Sequence, residues 1–473
     1  MNYKGILFFL GIYSLIVSFF SVLNIFYSIY FDSTVGLNSY LVTFSISLIT
    51  GLLFYYIGRN HRKDITLTEQ IIFILLSFLL IPLLISIPYV LSIYNIGILN
   101  SYFESVSGFT TTGFSIIQNV SDIDEPLVLW RSSSQWMGGL LFLLATIGTI
   151  GSKQIKIKPA YLISGGASGR NFYNNFNYNF VKIFLIYFFT TIFIIFLYSL
   201  TNLRLLDSFN LAFTSISAGG FIPNENLSDI LVNNLQIFVF SITLLFPIFN
   251  FFLLHDLITR QFSFRNHQED FHLGSLVILL SLIFYFFVIP NEGFANVFFA
   301  IVSSISTSGV STYSSNFDLS LFFLLLTIVG GSLISTSSGF KYTRIYILLK
   351  ISYQEIYRLV KPINVIDKNL YNSEVRIEDH DVKIAFLVFL SFIISIFILS
   401  SILTFDYLTF ENSFKLSILT LTNTVSSSLY GMDNLNFLEL NNFTKMSLIL
   451  FMLLGKIEII AVIYLIKRFI FKE

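Results

Sequence analysis

The stretch FESVSGFTTTGFS, Phe103 to Ser115, runs Ser, Thr and Gly between two hydrophobic segments and never opens into a charged loop. Three later stretches share its character: AFTSISAGGF (Ala212 to Phe221), AIVSSISTSGV (Ala300 to Val310) and SILTLTNTVSSSLYG (Ser417 to Gly431). Each is a short apolar, helix-like segment ending in small polar residues. Non-helical backbone at membrane depth is tolerated only where it is buried in protein or lines a water-filled cavity. Four such segments in one chain therefore point to one cavity with four walls. Backbone carbonyls with Thr and Ser hydroxyls are the groups that replace the hydration shell of a monovalent cation, so the pattern reads as a cation pore.

Working outward, the whole chain is a membrane protein by composition. Of 473 residues, 55% are hydrophobic and 11% charged, with 56 Phe, against about 25% charged in soluble domains. The 27 basic and 27 acidic residues cancel, so no bulk field favours nucleic acid or acidic partners. The chain has no Cys, which excludes disulfides and thiolate metal sites and leaves the redox compartment undecided. The first hydrophobic stretch, from Gly5 to about Tyr30, is longer than a signal-peptide core and lacks a small-residue cleavage site, so it reads as a retained span.

A bilayer core of about 30 Å needs about 20 helical residues. That length predicts ten full spans, near 5–30, 38–58, 66–90, 127–150, 179–200, 232–258, 272–290, 318–349, 382–403 and 444–468. The four polar stretches fall between the third and fourth, fifth and sixth, seventh and eighth, and ninth and tenth. Each follows an apolar segment long enough for half the membrane only. Lys and Arg collect on one face, as in the clusters Arg59, Arg62, Lys63 and Lys341, Arg344, Lys350. The other face holds only Arg131, Arg204, Lys415 and Lys445, and Lys456 falls within a span. By the positive-inside rule both termini are cytoplasmic and the four polar returns open outward. A unit of two spans and one half-helix starts and ends on the same face, so the repeats are parallel copies about an axis along the membrane normal. Inverted-repeat carriers are built differently.

The expected architecture is an all-α polytopic membrane protein. A two-helix extension (1–60) precedes pore repeats 1 (61–150), 2 (151–260) and 3 (261–350, with an interrupted stretch 330–339). A cytoplasmic connector (351–380) and pore repeat 4 (381–473) follow. Aligning the returns places Gly113, Gly220, Gly309 and Ser426 in equivalent positions, at spacings of 107, 89 and 117. The residues just before them, Thr111, Thr112, Ala218, Gly219, Thr307, Ser308, Thr424 and Val425, supply the remaining ligands. The C-terminal ends of the half-helices face the cavity with partial negative charge. For any one stretch, small-residue helix packing is a competing explanation; four in register weaken it.

FESVSGFTTTG, WRSSSQWMGGL (Trp130 to Leu140), GGSLISTSSGFKYTR (Gly330 to Arg344) and LLGKIEI (Leu453 to Ile459) resemble the Trk/Ktr/HKT superfamily of potassium transporters, most closely its TrkH-type pore-forming subunit. The resemblance runs along essentially the whole chain and includes the two extra N-terminal spans. It implies potassium as the transported ion, a homodimer with one pore per protomer, and a cytosolic regulatory subunit of the TrkA type that binds the nucleotide. No cofactor is expected in this chain. The fourth return, TVSSSLYG, departs from the family in lacking the expected glycine, which leaves potassium against sodium selectivity open.

Span eight is interrupted by GGSLISTSSG, whose glycines and serines do not hold a regular helix. It reads either as a kink satisfied by neighbouring helices or as an intramembrane loop below the filter, with Gly330, Gly331, Ser337, Ser338 and Gly339 at its two ends. The family implies that it gates the pore. Lys456 near the middle of the last span needs a cavity or a partner, and the family places a basic residue there, facing the pore. Glu104, Asp207, Glu292 and Glu411 read as helix-start residues that offset the dipole, with Glu104 deep enough to pair with Arg131 instead. GGASGR (Gly165 to Arg170) lacks the GK[ST] of a phosphate loop and reads as a turn. EIYRLVKPINVI in the long cytoplasmic segment reads as a solvated connector on which a regulatory subunit could dock. No nucleophile with its base and no His cluster with ligand spacing is present, so an enzyme is disfavoured. A carrier for a small solute stays open beside a channel-like potassium or sodium pathway in the cell membrane.

Overall fold

The computed structural model describes residues 2–473 except 62–65, 93, 95, 151–175, 261, 291, 313–318, 362–368, 372–375, 433–434, 458–460, 463–464, 466 and 468–473. Predictions for Lys153, Lys156, Lys158 and GGASGR, for most of the connector after Lys361, and for the end of the last span lie outside these residues. The regular elements of the described chain are all helices, apart from a lone bridge between Asn369 and Arg376.

Six helices among the described residues are long and apolar enough to cross a membrane: Tyr3–Tyr30, Gly36–His61, Thr68–Val90, Phe180–Ser199, Gln268–Val288 and Asp379–Thr404. Their outward faces carry exposed large side chains such as Phe19, Leu53, Phe193, Phe286 and Phe397. Such faces are stable only against lipid, because a soluble protein rarely leaves apolar patches of this extent. The protein is a multi-pass membrane protein. The first two helices form a hairpin that packs through the first onto the third span and onto Glu125–Ile150.

Inside this wall stand four short helices, Ile98–Phe109, Leu205–Ser217, Phe294–Ile305 and Phe410–Leu421. Many of their Ser and Thr side chains bond backwards along the helix, for example Ser105 to the Ser101 carbonyl at 2.7 Å and Ser417 to the Ser413 carbonyl at 2.6 Å. That satisfies those hydroxyls locally and lets them be buried. The long helix that follows a pore helix seats a glycine on its last carbonyl. A Cβ at Gly138 would lie 1.7 Å from the Phe109 oxygen, and one at Gly455 2.4 Å from the Leu421 oxygen. The same close approach in the first and fourth repeats shows how the hydropathy repeat becomes a packing repeat.

The structure departs from the expected spans in two places. Span 232–258 is not continuous: Asn234–Thr243 stops, the chain turns through Pro247, and Phe251–Ile258 resumes. Proline removes a backbone donor and clashes with the preceding turn. Span 318–349 splits into Ser320–Val329 and Tyr342–Val360, so the boundary expected at 350/351 falls inside a helix. The two breaks face each other. Ser332 and Ser337 donate their N–H groups to Ile248 and Pro247 at 2.8 and 3.1 Å, and Phe251 donates to Ile334 at 2.7 Å. Each irregular segment satisfies the other's backbone, the condition for non-helical chain at membrane depth.

Candidate functional site

Every pore helix ends in the same motif. Thr111, Ala218, Thr307 and Asn423 adopt left-handed backbone, with φ of 59°, 57°, 62° and 49°. In three repeats the next N–H reaches back to the helix, from Thr112 to Ser107, Gly219 to Thr214 and Thr424 to Leu419, each at 2.9 Å. In the third, Gly309 donates to Ser303 at 3.0 Å. These are Schellman-type caps, built in three repeats on Thr or Ala, for which left-handed backbone costs about 1–2 kcal/mol apiece, and in the fourth on Asn, which adopts it more readily. Strain repeated at the same step of four repeats marks a geometry the fold imposes. It turns the chain out of each helix and into an extended return.

The four returns meet. Asn423 donates to the Thr112 hydroxyl at 3.0 Å, Ser308 to the Gly219 carbonyl at 2.7 Å, and Ser427 to the Gly309 carbonyl at 2.6 Å. A Cβ on Gly113 would sit 3.0 Å from the Gly220 Cα. First to second, second to third, third to fourth and fourth to first, the contacts close a ring. The predicted residues Thr111, Thr112, Gly113, Ala218, Gly219, Gly220, Thr307, Ser308, Gly309, Thr424 and Val425 all lie in it. Above it a cavity of about 840 Å³ opens, lined among others by Gly113, Arg131, Gly220, Val425 and Ser426.

The fourth return is displaced by one residue from the register expected of it. Asn423 matches Thr111, Ala218 and Thr307 as the left-handed residue, and Thr424 matches Thr112 and Gly219 by its hydrogen bond. Paired hydroxyls agree: Thr110 with Thr112 at 2.7 Å, Thr422 with Thr424 at 2.9 Å. Val425, not Ser426, therefore stands level with Gly113, Gly220 and Gly309. Backbone conformation permits it. Gly113 and Gly309 are left-handed, φ 86° and 70°, whereas Gly220 and Val425 are not.

On the inner side of the ring the interrupted segment packs against the pore helices and returns. Ser338 donates its N–H to the Thr307 hydroxyl at 2.9 Å, and the Thr336 hydroxyl bonds the Ile216 carbonyl at 2.8 Å. Lys456 is fully buried; its ammonium donates to Thr111 at 2.6 Å and Ser338 at 2.9 Å, and lies 4.3 Å over the Phe142 ring. Gly330 and Gly339 cross at the base of the loop, both left-handed at φ 63° and 83°. The Ser337 hydroxyl accepts from Gly331 at 3.0 Å.

Several members of this network were not apparent in the sequence. Lys341, grouped there with the cytoplasmic lysines, is buried and donates to the carbonyls of Ser335 at 3.3 Å and Ser337 at 2.5 Å. Glu269, also buried, accepts from the Leu333 N–H at 3.0 Å and from the Thr343 hydroxyl. Asp270 accepts from Asn250 at 2.7 Å on the facing break. The available signal was an acidic pair, Glu269 and Asp270, followed directly by an apolar span. Glu104 is no helix-start residue: it sits mid-helix, buried, 3.1 Å from Arg131, and accepts from the Ile116 N–H at 2.8 Å. Arg131 in turn stacks 4.2 Å over Phe221 of the second return. Asp207 and Glu411 do lie in first helical turns. Among the described residues no grouping of His, Asp or Glu has the form of a metal site.

No protein-family model matches the chain. It is 26% identical to an uncharacterized cation transporter of Methanocaldococcus jannaschii, over 99% of this chain and 96% of the relative. It is 24% identical to the Trk system potassium uptake protein TrkH of Halomonas elongata, over 98% of each. The crystal structure of the potassium transporter TrkH from Vibrio parahaemolyticus superimposes with a TM-score of 0.85, at 20% identity and 98% coverage of both chains. These relatives are transporters, not enzymes.

Proposed function

We propose that this chain, a Trk-type transporter, is a pore-forming subunit for potassium uptake, the ion losing its water in the ring formed by the four returns. One observation carries the reading: four helices, each ending in a left-handed residue, bring their C-terminal ends to returns that bond to one another in a ring. Such ends carry partial negative charge, and a dehydrated monovalent cation is the ligand that a ring of uncharged oxygens suits. Its similarity over the full length to TrkH proteins supports potassium as the ion. The membrane potential supplies about 2.3 kcal/mol per charge per 100 mV for inward movement.

The segment 330–339 is proposed as the gate, because it is bonded to the end of the second pore helix, to the start of the third return and, through Lys456, to the first return. A cytosolic nucleotide-binding subunit would move it, and the relatives' naming as parts of a Trk system fits a complex of several components. A homodimer in the cytoplasmic membrane with both termini inside is the assembly proposed, the orientation following the basic residues. The test is growth and potassium uptake at low external potassium in a host lacking its own uptake systems, with the regulatory partner co-expressed. Rescue is expected. Absence of rescue and of flux, with the protein present in the membrane, overturns the reading.

A sodium-permeable pathway is the second reading, favoured by the absence of a fourth glycine. Comparing sodium with potassium in the same cells separates the two.

A further inference from the structure

The residue level with the three filter glycines is a valine, Val425. A Cβ on Gly220 would fall 2.4 Å from Val425 Cβ and 2.9 Å from its Cγ1, so the isopropyl group lies in van der Waals contact with the second return. The ring runs first, second, third, fourth, so the second and fourth returns are opposite each other. The side chain therefore spans the ring rather than packing outward into its wall. Val425 is only half-buried, and with Gly113 and Gly220 it forms the floor of the outer cavity. The third return closes on the same residue, since a Cβ on Gly309 would meet the Val425 carbonyl at 3.0 Å.

We propose that Val425 is an apolar constriction at the outer end of the ion path, and that it sets the upper size limit of the ions admitted. The inference rests on the uptake reading above and specifies the selectivity of that same site. An ion descending from the cavity meets the glycine backbone of three returns and a hydrocarbon side chain on the fourth. It must shed water while the valine side chain rotates aside, the behaviour of a hydrophobic constriction. A β-branched side chain has few rotamers to choose from, so the space it can vacate is small. Larger ions are penalised most.

The experiment measures potassium, rubidium and caesium uptake in the potassium-uptake-deficient host for wild type, Val425→Ala, Val425→Gly and Ser426→Gly, each normalised to protein in the membrane. A single methylene changes discrimination by about 10–200-fold in a close-fitting site. The caesium-to-potassium ratio is expected to rise from wild type to Val425→Ala to Val425→Gly, by about tenfold at the glycine. Ser426→Gly should move it less than Val425→Ala does. If Val425→Gly fails to reach the membrane, Val425→Ala decides alone. An unchanged or lower ratio in Val425→Ala, or a larger change in Ser426→Gly, overturns the constriction while leaving uptake intact. No uptake of any ion by the wild type overturns both.

Discussion

The backbone N–H of Ser338 donates to the side chain of Thr307 at 2.9 Å, joining the interrupted segment of the eighth span to the left-handed residue that starts the third return. The same segment is held from below by Lys341, whose ammonium bonds the carbonyls of Ser335 and Ser337. Replacing Lys341 by Met keeps the stem and removes the donors. A net hydrogen bond to a charged group is worth about 1.5–3 kcal/mol, enough to shift a closed loop strongly toward open. Potassium leak in cells lacking the regulatory partner is expected to rise in Lys341→Met, measured as efflux into potassium-free medium.

Lys456 places its amine directly under the ring, bonded to Thr111 and resting on Phe142. In its protonated form it repels a cation leaving the ring inward. Lys456→Met should raise maximal potassium uptake, and Lys456→Arg, which keeps the charge, should remain near wild type. Initial rates over a range of external potassium check both.

Glu104 and Arg131 form a buried pair, at most 3% exposed, that anchors the chain after the first return. Removing one partner from such a pair costs about 3–5 kcal/mol, because the other charge stays buried. Glu104→Gln is expected to lower the thermal midpoint of the detergent-solubilised protein markedly. The double variant Glu104→Gln with Arg131→Met should recover much of the loss.

Two glycines in long helices should respond oppositely to alanine. At Gly138 a methyl would lie 1.7 Å from the Phe109 carbonyl, whereas at Gly274 the nearest atom is 3.7 Å away, on the Phe249 ring. Gly138→Ala should abolish correctly assembled protein. Gly274→Ala should be neutral or stabilising by up to about 1 kcal/mol, from helix propensity. Size-exclusion profiles and thermal midpoints distinguish them.

The repeats were legible in the sequence because hydropathy and small polar residues carry them directly: a half-length apolar segment, then Ser, Thr and Gly, four times. The register of the fourth return was not. TVSSS offers several small residues as stand-ins for glycine, and the left-handed backbone of Asn423 with the back-bond of Thr424 fixes which residue is level with Gly113. Lys341 was misplaced because counting basic residues assigns each to a loop, while this one turns inward to bond a carbonyl pair. The break at Pro247 hid in an apolar run, since its exposed backbone groups are satisfied by a segment about 90 residues away, which no local pattern announces. For Glu104 the sequence offers both a helix-start role and a pair with Arg131, and the structure shows the pair, with the Ile116 N–H as a further donor.

The central claim is that the four returns form the ion path. Gly113 tests it most directly, being left-handed at φ 86° and placing any added Cβ in tight contact, 3.0 Å, with the Gly220 Cα. The measurement is the potassium uptake rate of Gly113→Ala in the uptake-deficient host, at matched membrane protein. A loss of about 1.4 kcal/mol or more in ion stabilisation predicts a fall of about tenfold or more. Uptake equal to wild type, with the variant folded and present, would contradict the account.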